Sequence, residues 1–297
     1  MHSEGAKVHG ESAGAVEAAL YVVATPIGNL GDITLRALDT LKSVDVIAAE
    51  DTRVSRKLLG HFGIQAELLP AHEHNERDSA RKLVALLASG KSVAFVSDAG
   101  TPAVSDPGAI LVEEARAAGF RVVPIPGASA VMAALAASGL SAVPFCFHGF
   151  LPARKPDRVK LLSGLKDRPE FQIFFEAPHR ILESIESILA AMGGERRVAI
   201  ARELTKLFEQ VHVCRLDEAG PWLLADENRQ RGEFVLLVEG CVQREAAAES
   251  GSRRTLEILL NELPLKQAVG LAAAITGEKK NALYAAALEM KKQMDDS

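Results

Sequence analysis

The chain has 297 residues, which at roughly 150 per domain predicts about two domains, and its 48% hydrophobic and 25% charged residues make a core-forming globular composition. Thirty-four Lys and Arg against 39 Asp and Glu give a net charge of -5, which excludes binding of nucleic acid by bulk attraction and leaves any polyanion to a local patch. Cys146, Cys214 and Cys241 stand far apart with no Cys-x-x-Cys pair, which argues against a disulfide framework or a zinc knuckle and fits a reducing, cytoplasmic setting.

In chain order, residues 1–19 carry Glu4, Glu11 and Glu17 without a continuous apolar run, and read as a disordered extension rather than a secretory signal. Apolar runs of strand length then alternate with amphipathic helical stretches: 20–24 and 34–42, 44–49 and 54–59, 93–96 and 109–118. These strands are nearly continuously hydrophobic, the mark of a mainly parallel sheet covered on both faces. The uncharged stretch 122–147 is long enough to raise a membrane span, but Pro124, Pro126, Gly127, Gly139 and Pro144 break it into pieces, so no membrane contact is expected. It reads as a strand to Ile125, a Pro126-Gly127 turn and an Ala-rich helix capped by Ser129.

The first α/β domain is expected over 20–150. A second, over 151–240 and with a mixed sheet, follows from strands at 171–175, 198–201, 208–214 and 233–239 around a helix at 181–192. Residues 241–252 lack a hydrophobic period and read as a linker. Residues 253–297 then form a small helical extension, three short helices at 256–263, 266–275 and 279–290 with Thr276-Gly277 between the last two. This resembles a helix-turn-helix, although a helical appendage for folding or dimerisation has the same pattern. From 253 to 292 seven basic residues face four acidic ones, so charge is segregated between an acidic body and a basic tail.

Three loops leave the first-domain strands rich in turn formers. Ala24-Thr25-Pro26-Ile27-Gly28-Asn29-Leu30-Gly31-Asp32 allows close backbone approach to a ligand, though it is not Gly-x-Gly-x-x-Gly; Glu50, about twenty residues on, keeps a dinucleotide site in view. In Ser97 to Gly108, Asp98 at a strand end suits ribose hydroxyls or a cationic ligand, whereas Asp106-Pro107-Gly108 has plain turn chemistry. The third loop is Pro124 to Ala130, and the three would converge on one sheet edge, the ligand crevice of an open α/β sheet. In the second domain, Glu176-Ala177-Pro178-His179-Arg180 and Arg202-Glu203-Leu204-Thr205-Lys206 place charges directly after apolar strands. His72-Glu73-His74-Asn75-Glu76 looks superficially like a metal cluster but lacks a third ligand of fixed spacing, so no metal is expected.

Thr25 to Asp32, Ala49-Glu50-Asp51-Thr52-Arg53, Ser97 to Gly108, Pro126 to Ala130, Glu176 to Arg180 and Arg202 to Lys206 occur in the order seen in the ribosomal-RNA-methylating branch of the tetrapyrrole (corrin/porphyrin) methylase superfamily, which the chain resembles over about residues 20–240. The tail resembles that branch's extension. The resemblance implies a two-domain tetrapyrrole-methylase-like α/β fold, a homodimer, and S-adenosylmethionine in the cleft between the domains. It also implies 2′-O-methylation of cytidine 1402 in the 16S RNA of the small ribosomal subunit. Carried over by motif, Pro26, Ile27, Gly28, Asp98, Thr101, Ser129, Ala130, Glu176 and Ala177 would bind the cofactor. The first loop lacks the superfamily's Gly-x-Gly-Pro-Gly-Asp form and Ser97-Asp98-Ala99 replaces Gly-Asp-Pro, and both departures match the RNA branch.

For such a transfer Asp51, Glu176 and Glu203 are candidate catalytic bases, and Arg53, Arg180, Arg202, Lys206, Lys279 and Lys280 are candidates for RNA phosphates. With 5% aromatics an extensive base-stacking platform is not expected. The alternatives are a C-methyltransferase acting on a tetrapyrrole precursor, which would need no basic tail, and a non-catalytic nucleotide- or RNA-binding scaffold.

Overall fold

The computed structural model describes residues 17–72, 76–142, 144–241 and 245–295, and the expectation for the first sixteen residues lies outside them. It contains two compact units, Met1–Gly240 and Cys241–Ser297. The first unit holds two five-stranded sheets.

The N-terminal sheet is formed by β1 (Leu20–Val23), β2 (Val46–Ala49), β3 (Glu67–Pro70), β4 (Val93–Val96) and β5 (Val122–Ile125), in the order β3-β2-β4-β1-β5. Every pairing is parallel. The covering helices are α1 (Leu35–Ser43), α2 (Thr52–His61), α3 (Glu76–Ala88) and α4 (Ala109–Ala117). β2 and β4 are buried at every position because alternate residues serve two cores. Val46, Ala48, Val93 and Phe95 face one of them, and Ile47, Ala49, Ala94 and Val96 the other. The domain starts before Leu20: Ala19 is fully buried, and Glu17 pairs with Arg121 at 2.9 Å.

The second sheet comprises β6 (Phe145–Phe150), β7 (Phe171–Glu176), β8 (Arg197–Arg202), β9 (Gln210–Arg215) and β10 (Phe234–Val238), in the order β6-β7-β10-β8-β9. It is mixed: β6 runs parallel to β7 and the other pairs are antiparallel. The expected strand at 208–214 is shifted, with β9 starting at Gln210 because Phe208 lies in the preceding loop. Helices α6 (Lys155–Leu165), α7 (Ile181–Met192) and α8 (Leu216–Leu224) cover one face. The other face takes α5 (Ala130–Ala137), which comes from the N-terminal domain: Val131 and Ala134 are buried against Ile173, Ala199, Ala201, Val235 and Leu237. The uncharged stretch is thus divided among β5, α5 and β6, and no described helix is long and apolar enough to cross a membrane.

The second unit contains α9 (Glu245–Glu262), α10 (Leu265–Thr276) and α11 (Lys280–Asp295). Leu256, Leu260, Ala268, Val269, Ala272, Leu283 and Ala287 form its own core. Helix α9 begins inside the segment expected to be a linker, since Glu245-Ala246-Ala247-Ala248 are strong helix formers that a missing hydrophobic period does not silence. Gly277 ends α10 in the left-handed region at φ 74°, with its N–H bonded to the Ala273 carbonyl.

Helix α4 has an unusual start. Its N-cap is Gly108, φ 128°, with no side chain to give, and the nearly buried Glu76 supplies the missing acceptor to the N–H groups of Gly108 (2.8 Å) and Ile110 (3.1 Å). Phe95 leaves no room for anything larger than glycine, because a Cβ at 108 would lie 2.3 Å from its ring. Gly108→Ala should therefore lower unfolding free energy by about 2 kcal/mol or more, from overpacking combined with an unfavourable φ. Urea unfolding measures this, and a change below about 0.5 kcal/mol would show that Phe95 can move aside.

Candidate active site

The loops after β1, β4 and β5 are tied together by backbone and hydroxyl hydrogen bonds. Thr25 and Gly100 exchange N–H···O bonds of 2.9 and 3.0 Å, the Thr25 hydroxyl donates to the Ser97 carbonyl (3.2 Å), and the Thr101 hydroxyl donates to the Ala128 carbonyl (3.2 Å). Ser129 caps α5 by accepting from the Met132 N–H. Opposite them, the ends of β6, β7 and β10 and the β8–β9 loop supply the second wall.

Between the walls lies a cavity of about 370 Å³, within the size range of small-molecule sites. Ile27, Ala99 to Thr101, Val104, Asp106 and Ser129 to Val131 line the first wall. Phe150, Phe175 to Pro178, Leu204 and Glu233 to Val235 line the second. Most of this surface is apolar, with a few hydroxyl, backbone and carboxylate groups placed to orient a ligand.

Among the described residues four non-glycines adopt left-handed backbone, and all four neighbour a cavity-lining residue in the chain: Ala103 (φ 65°) and Ser105 (φ 64°) flank Val104, and Glu203 (φ 50°) and Thr205 (φ 65°) flank Leu204. Such conformations persist when the surroundings over-determine them, and they concentrate at ligand sites.

Of the nine residues expected at a cofactor, Ile27, Thr101, Ser129, Ala130, Glu176 and Ala177 line the cavity. Pro26 is buried just before Ile27, and Gly28 packs under the Lys206 side chain, whose Cγ would be 2.5 Å from an added Cβ. Asp98 belongs to a neighbouring acidic group in which its Oδ1 accepts from the Asp51 N–H (3.1 Å) and its own N–H donates to Glu50 (3.2 Å). Burial raises the carboxyls of both Glu50 and Asp98 above their ordinary values.

The candidate bases differ in what they are free to do. Asp51 caps α2 and grips Arg53 at 2.6 Å, and that guanidinium holds its carboxyl well below the usual carboxylate range. Glu176 is fully buried, with Oε1 accepting from Arg180 (2.6 Å) and the Ala177 N–H (2.8 Å) and Oε2 from the Ser184 hydroxyl (2.5 Å). Partial burial pushes Glu203 up, but the Lys206 ammonium at 2.9 Å and the Glu233 N–H at 3.0 Å outweigh it and hold the carboxyl down.

Among the cations expected at RNA, Arg53, Lys279 and Lys280 are exposed. Lys206 is bracketed by Glu203 and Glu233, each at 2.9 Å, and Arg180 is spent on Glu176. Arg202 is turned inward and 7% exposed, donating to the carbonyls of Arg231 (2.8 Å) and Phe208 (3.2 Å), so a phosphate contact would require those bonds to break. His72 is exposed beyond β3, while residues 73–75 lie outside the described residues. Among the described residues no group of three His, Cys, Asp or Glu could hold a metal ion.

The second wall's aromatics, Phe150, Phe175 and Phe234, and two lining carboxylates, Asp106 and Glu233, escape a motif-based reading. The phenylalanines look like core strand residues. Asp106 sits in a run of turn formers.

Two α/β domains closing on one apolar, carboxylate-bearing cavity at the strand ends define a two-lobed small-molecule-binding α/β fold. The chain belongs to the tetrapyrrole (corrin/porphyrin) methylases, whose family model matches residues 19–220, and residues 245–291 match the model of the RsmI C-terminal HTH domain. It is 50% identical over 279 residues to "Ribosomal RNA small subunit methyltransferase I" of Escherichia coli O157:H7, covering 94% of this chain and 98% of that protein. To the protein of the same name from Vibrio cholerae it is 52% identical over 273 residues, covering 91% and 94%. Among solved structures it resembles the methyltransferase CobJ (TM-score 0.57, 22% identity, 76% of this chain and 95% of that one). It also resembles uroporphyrin-III-C-methyltransferase from Thermus thermophilus (TM-score 0.52, 20% identity, 73% and 93%).

The Glu176–Arg180 pair holds the loop that brings Ala177 and Pro178 to the cavity. Replacing Glu176 with Gln leaves a mostly buried guanidinium without its counter-charge, and stability should fall by about 3–5 kcal/mol, read by urea unfolding. A loss below about 1 kcal/mol would show that solvent reaches and stabilises the arginine charge without Glu176.

Proposed function

We propose that this protein transfers the methyl group of S-adenosylmethionine to a ribose 2′-hydroxyl of small-subunit ribosomal RNA, at cytidine 1402 of the 16S molecule. The observation that carries this reading is that relatives sharing half its residues over nearly its whole length, basic tail included, bear the name of a small-subunit ribosomal RNA methyltransferase. A fold shared with tetrapyrrole methylases at 20–22% identity speaks for architecture alone.

The cavity suits the cofactor. Its volume is that of a small-molecule site, Ile27, Val104, Phe150 and Leu204 offer apolar walls to a planar base, and Thr101 and Ser129 offer hydroxyls to polar groups. When bound, the cofactor supplies an electrophilic methyl carbon on a good neutral leaving group. What this chain contributes is alignment: the cross-bonded loops set one face of the site, the Glu176–Arg180–Ser184 network sets the other, and both exclude water from the reacting atoms.

Exposed cations hold the RNA. Arg53 stands beside the acidic group at the sheet edge, and Arg254, Lys266, Lys279 and Lys280 are all exposed on the C-terminal unit. A local patch on an otherwise acidic protein favours phosphate contacts over base stacking, and folded RNA within the subunit supplies the rest of the geometry. We further propose that the protein acts as a homodimer in the cytoplasm.

Incubation of the full chain with methyl-labelled cofactor and unmodified small subunits tests the reading. Label is expected on the 2′-oxygen of one cytidine, and label on a pyrrole precursor instead would replace this function with the tetrapyrrole one. Removal of residues 245–297 should raise the KM for subunits by about tenfold or more while leaving cofactor affinity unchanged, since the tail supplies sequence-independent phosphate contacts. An unchanged KM would take the tail out of RNA binding.

A further inference from the structure

Among the described residues three carboxylates line the cavity: Asp106, Glu176 and Glu233. Two are committed. Glu176 is neutralised by Arg180 and bonded on both oxygens, and Glu233 holds Lys206 at 2.9 Å from a side chain that is 79% exposed. Among the described residues Asp106 has no basic partner. The charged groups acting on it are Glu50, at the end of β2, and Asp98, in its own loop, and the nearby Ser97 hydroxyl only partly offsets them. Arg53 and His72 act on Asp98 and Glu50 at the outer side of this group, and Arg53 is already engaged by Asp51.

The backbone holds Asp106 at the cavity at a conformational cost. Ala103 and Ser105 are both left-handed, and the Ala103 N–H closes the loop onto the Pro107 carbonyl at 3.1 Å. Gly149 makes room for this turn, since a Cβ there would lie 2.6 Å from the Ser105 hydroxyl. A mere connection between β4 and α4 has no need of two strained residues; aiming one carboxylate at the cavity does.

Resting on the methyl-transfer reading above, we propose that Asp106 is the general base of the reaction and receives the proton of the ribose 2′-hydroxyl. The 2′-oxygen forms its bond to the sulfonium methyl carbon as the carbon–sulfur bond breaks and its electron pair stays on sulfur. The hydroxyl proton passes to an Asp106 carboxylate oxygen and from there to solvent after product release. Burial, reinforced by the charge of Glu50, pushes the Asp106 carboxyl up to about 6, so it is ionised at neutral pH yet basic enough to take a proton. Asp51, Glu176 and Glu203 are each tied to a cation and are poorer acceptors.

The test uses the full chain with unmodified small subunits and saturating cofactor. Asp106→Asn should lower kcat by about 10²–10⁴-fold while the affinity for S-adenosylhomocysteine, by calorimetry, stays within about twofold. In the wild type kcat should rise about tenfold per pH unit up to about 6 and level off above, and the variant should lose that slope. Independently of activity, carboxyl ¹³C NMR of the protein without cofactor should show one aspartate titrating at about 6 that is missing in Asp106→Asn. Asp106→Glu keeps the charge but alters its reach, and should retain the pH slope at reduced kcat; it carries the test should the Asn variant not fold.

A kcat within about threefold of wild type, a loss of affinity that matches the loss of rate, or an Asp106 titrating near the usual 4 would each overturn the assignment. Label on the subunit by the wild type with an undiminished variant rate defeats this inference alone. Absence of label from the wild type defeats the parent reading with it.

Discussion

The docking of α5 on the second sheet is the contact on which the rest depends. This helix belongs to the N-terminal domain by sequence and by its connection to β5, yet its buried residues Val131 and Ala134 lie on Ile173, Ala199, Ala201 and Val235 of the other domain. Alanine on both sides lets helix and sheet approach closely, so a modest apolar contact fixes the two domains as walls of one cleft. Since Ser129 and Ala130 open the same helix, the element that joins the domains also lines the cavity. Cleft and interface are one piece of structure.

Charge is arranged on that frame by pairing. Glu176 with Arg180 and Glu203 and Glu233 with Lys206 pair at the cavity, and Asp51 pairs with Arg53 beside it. Exposed pairs such as Asp51–Arg53 add little stability, whereas the buried Glu176–Arg180 pair is costly to break and acts as a positioning device. Against this background the acidic group of Glu50, Asp98 and Asp106 is distinctive, because burial raises all three carboxyls and, among the described residues, only Asp106 of the three has no cation to offset it.

Much of the architecture is legible in the chain. β2 and β4 are continuous apolar runs because a parallel strand covered on both faces has no polar side to show. The loops after β1, β4 and β5 announce themselves by glycine, proline and small residues, which tight turns at a ligand require. Less visible are β3, whose residues are at most half-buried, and α3, whose polar content hides its core stripe of Ala80, Leu83 and Leu87. The start of α9 within an expected linker shows helix propensity acting where no hydrophobic period is present.

By itself, the sequence determined most of the elements, the loop chemistry and the family, because hydrophobic period, turn residues and motif order are local properties. Tertiary structure alone decided which charges are free. Nothing beside Arg202 in the chain tells that its guanidinium turns inward to the carbonyls of Arg231 and Phe208, and although the partners of Glu176 lie within eight residues of it, only the folded loop after β7 shows that they occupy both its oxygens. Asp106-Pro107-Gly108 is turn chemistry along the chain. In the fold it is, among the described residues, the cavity carboxylate without a cation, because burial and long-range charge are set by what the chain brings together.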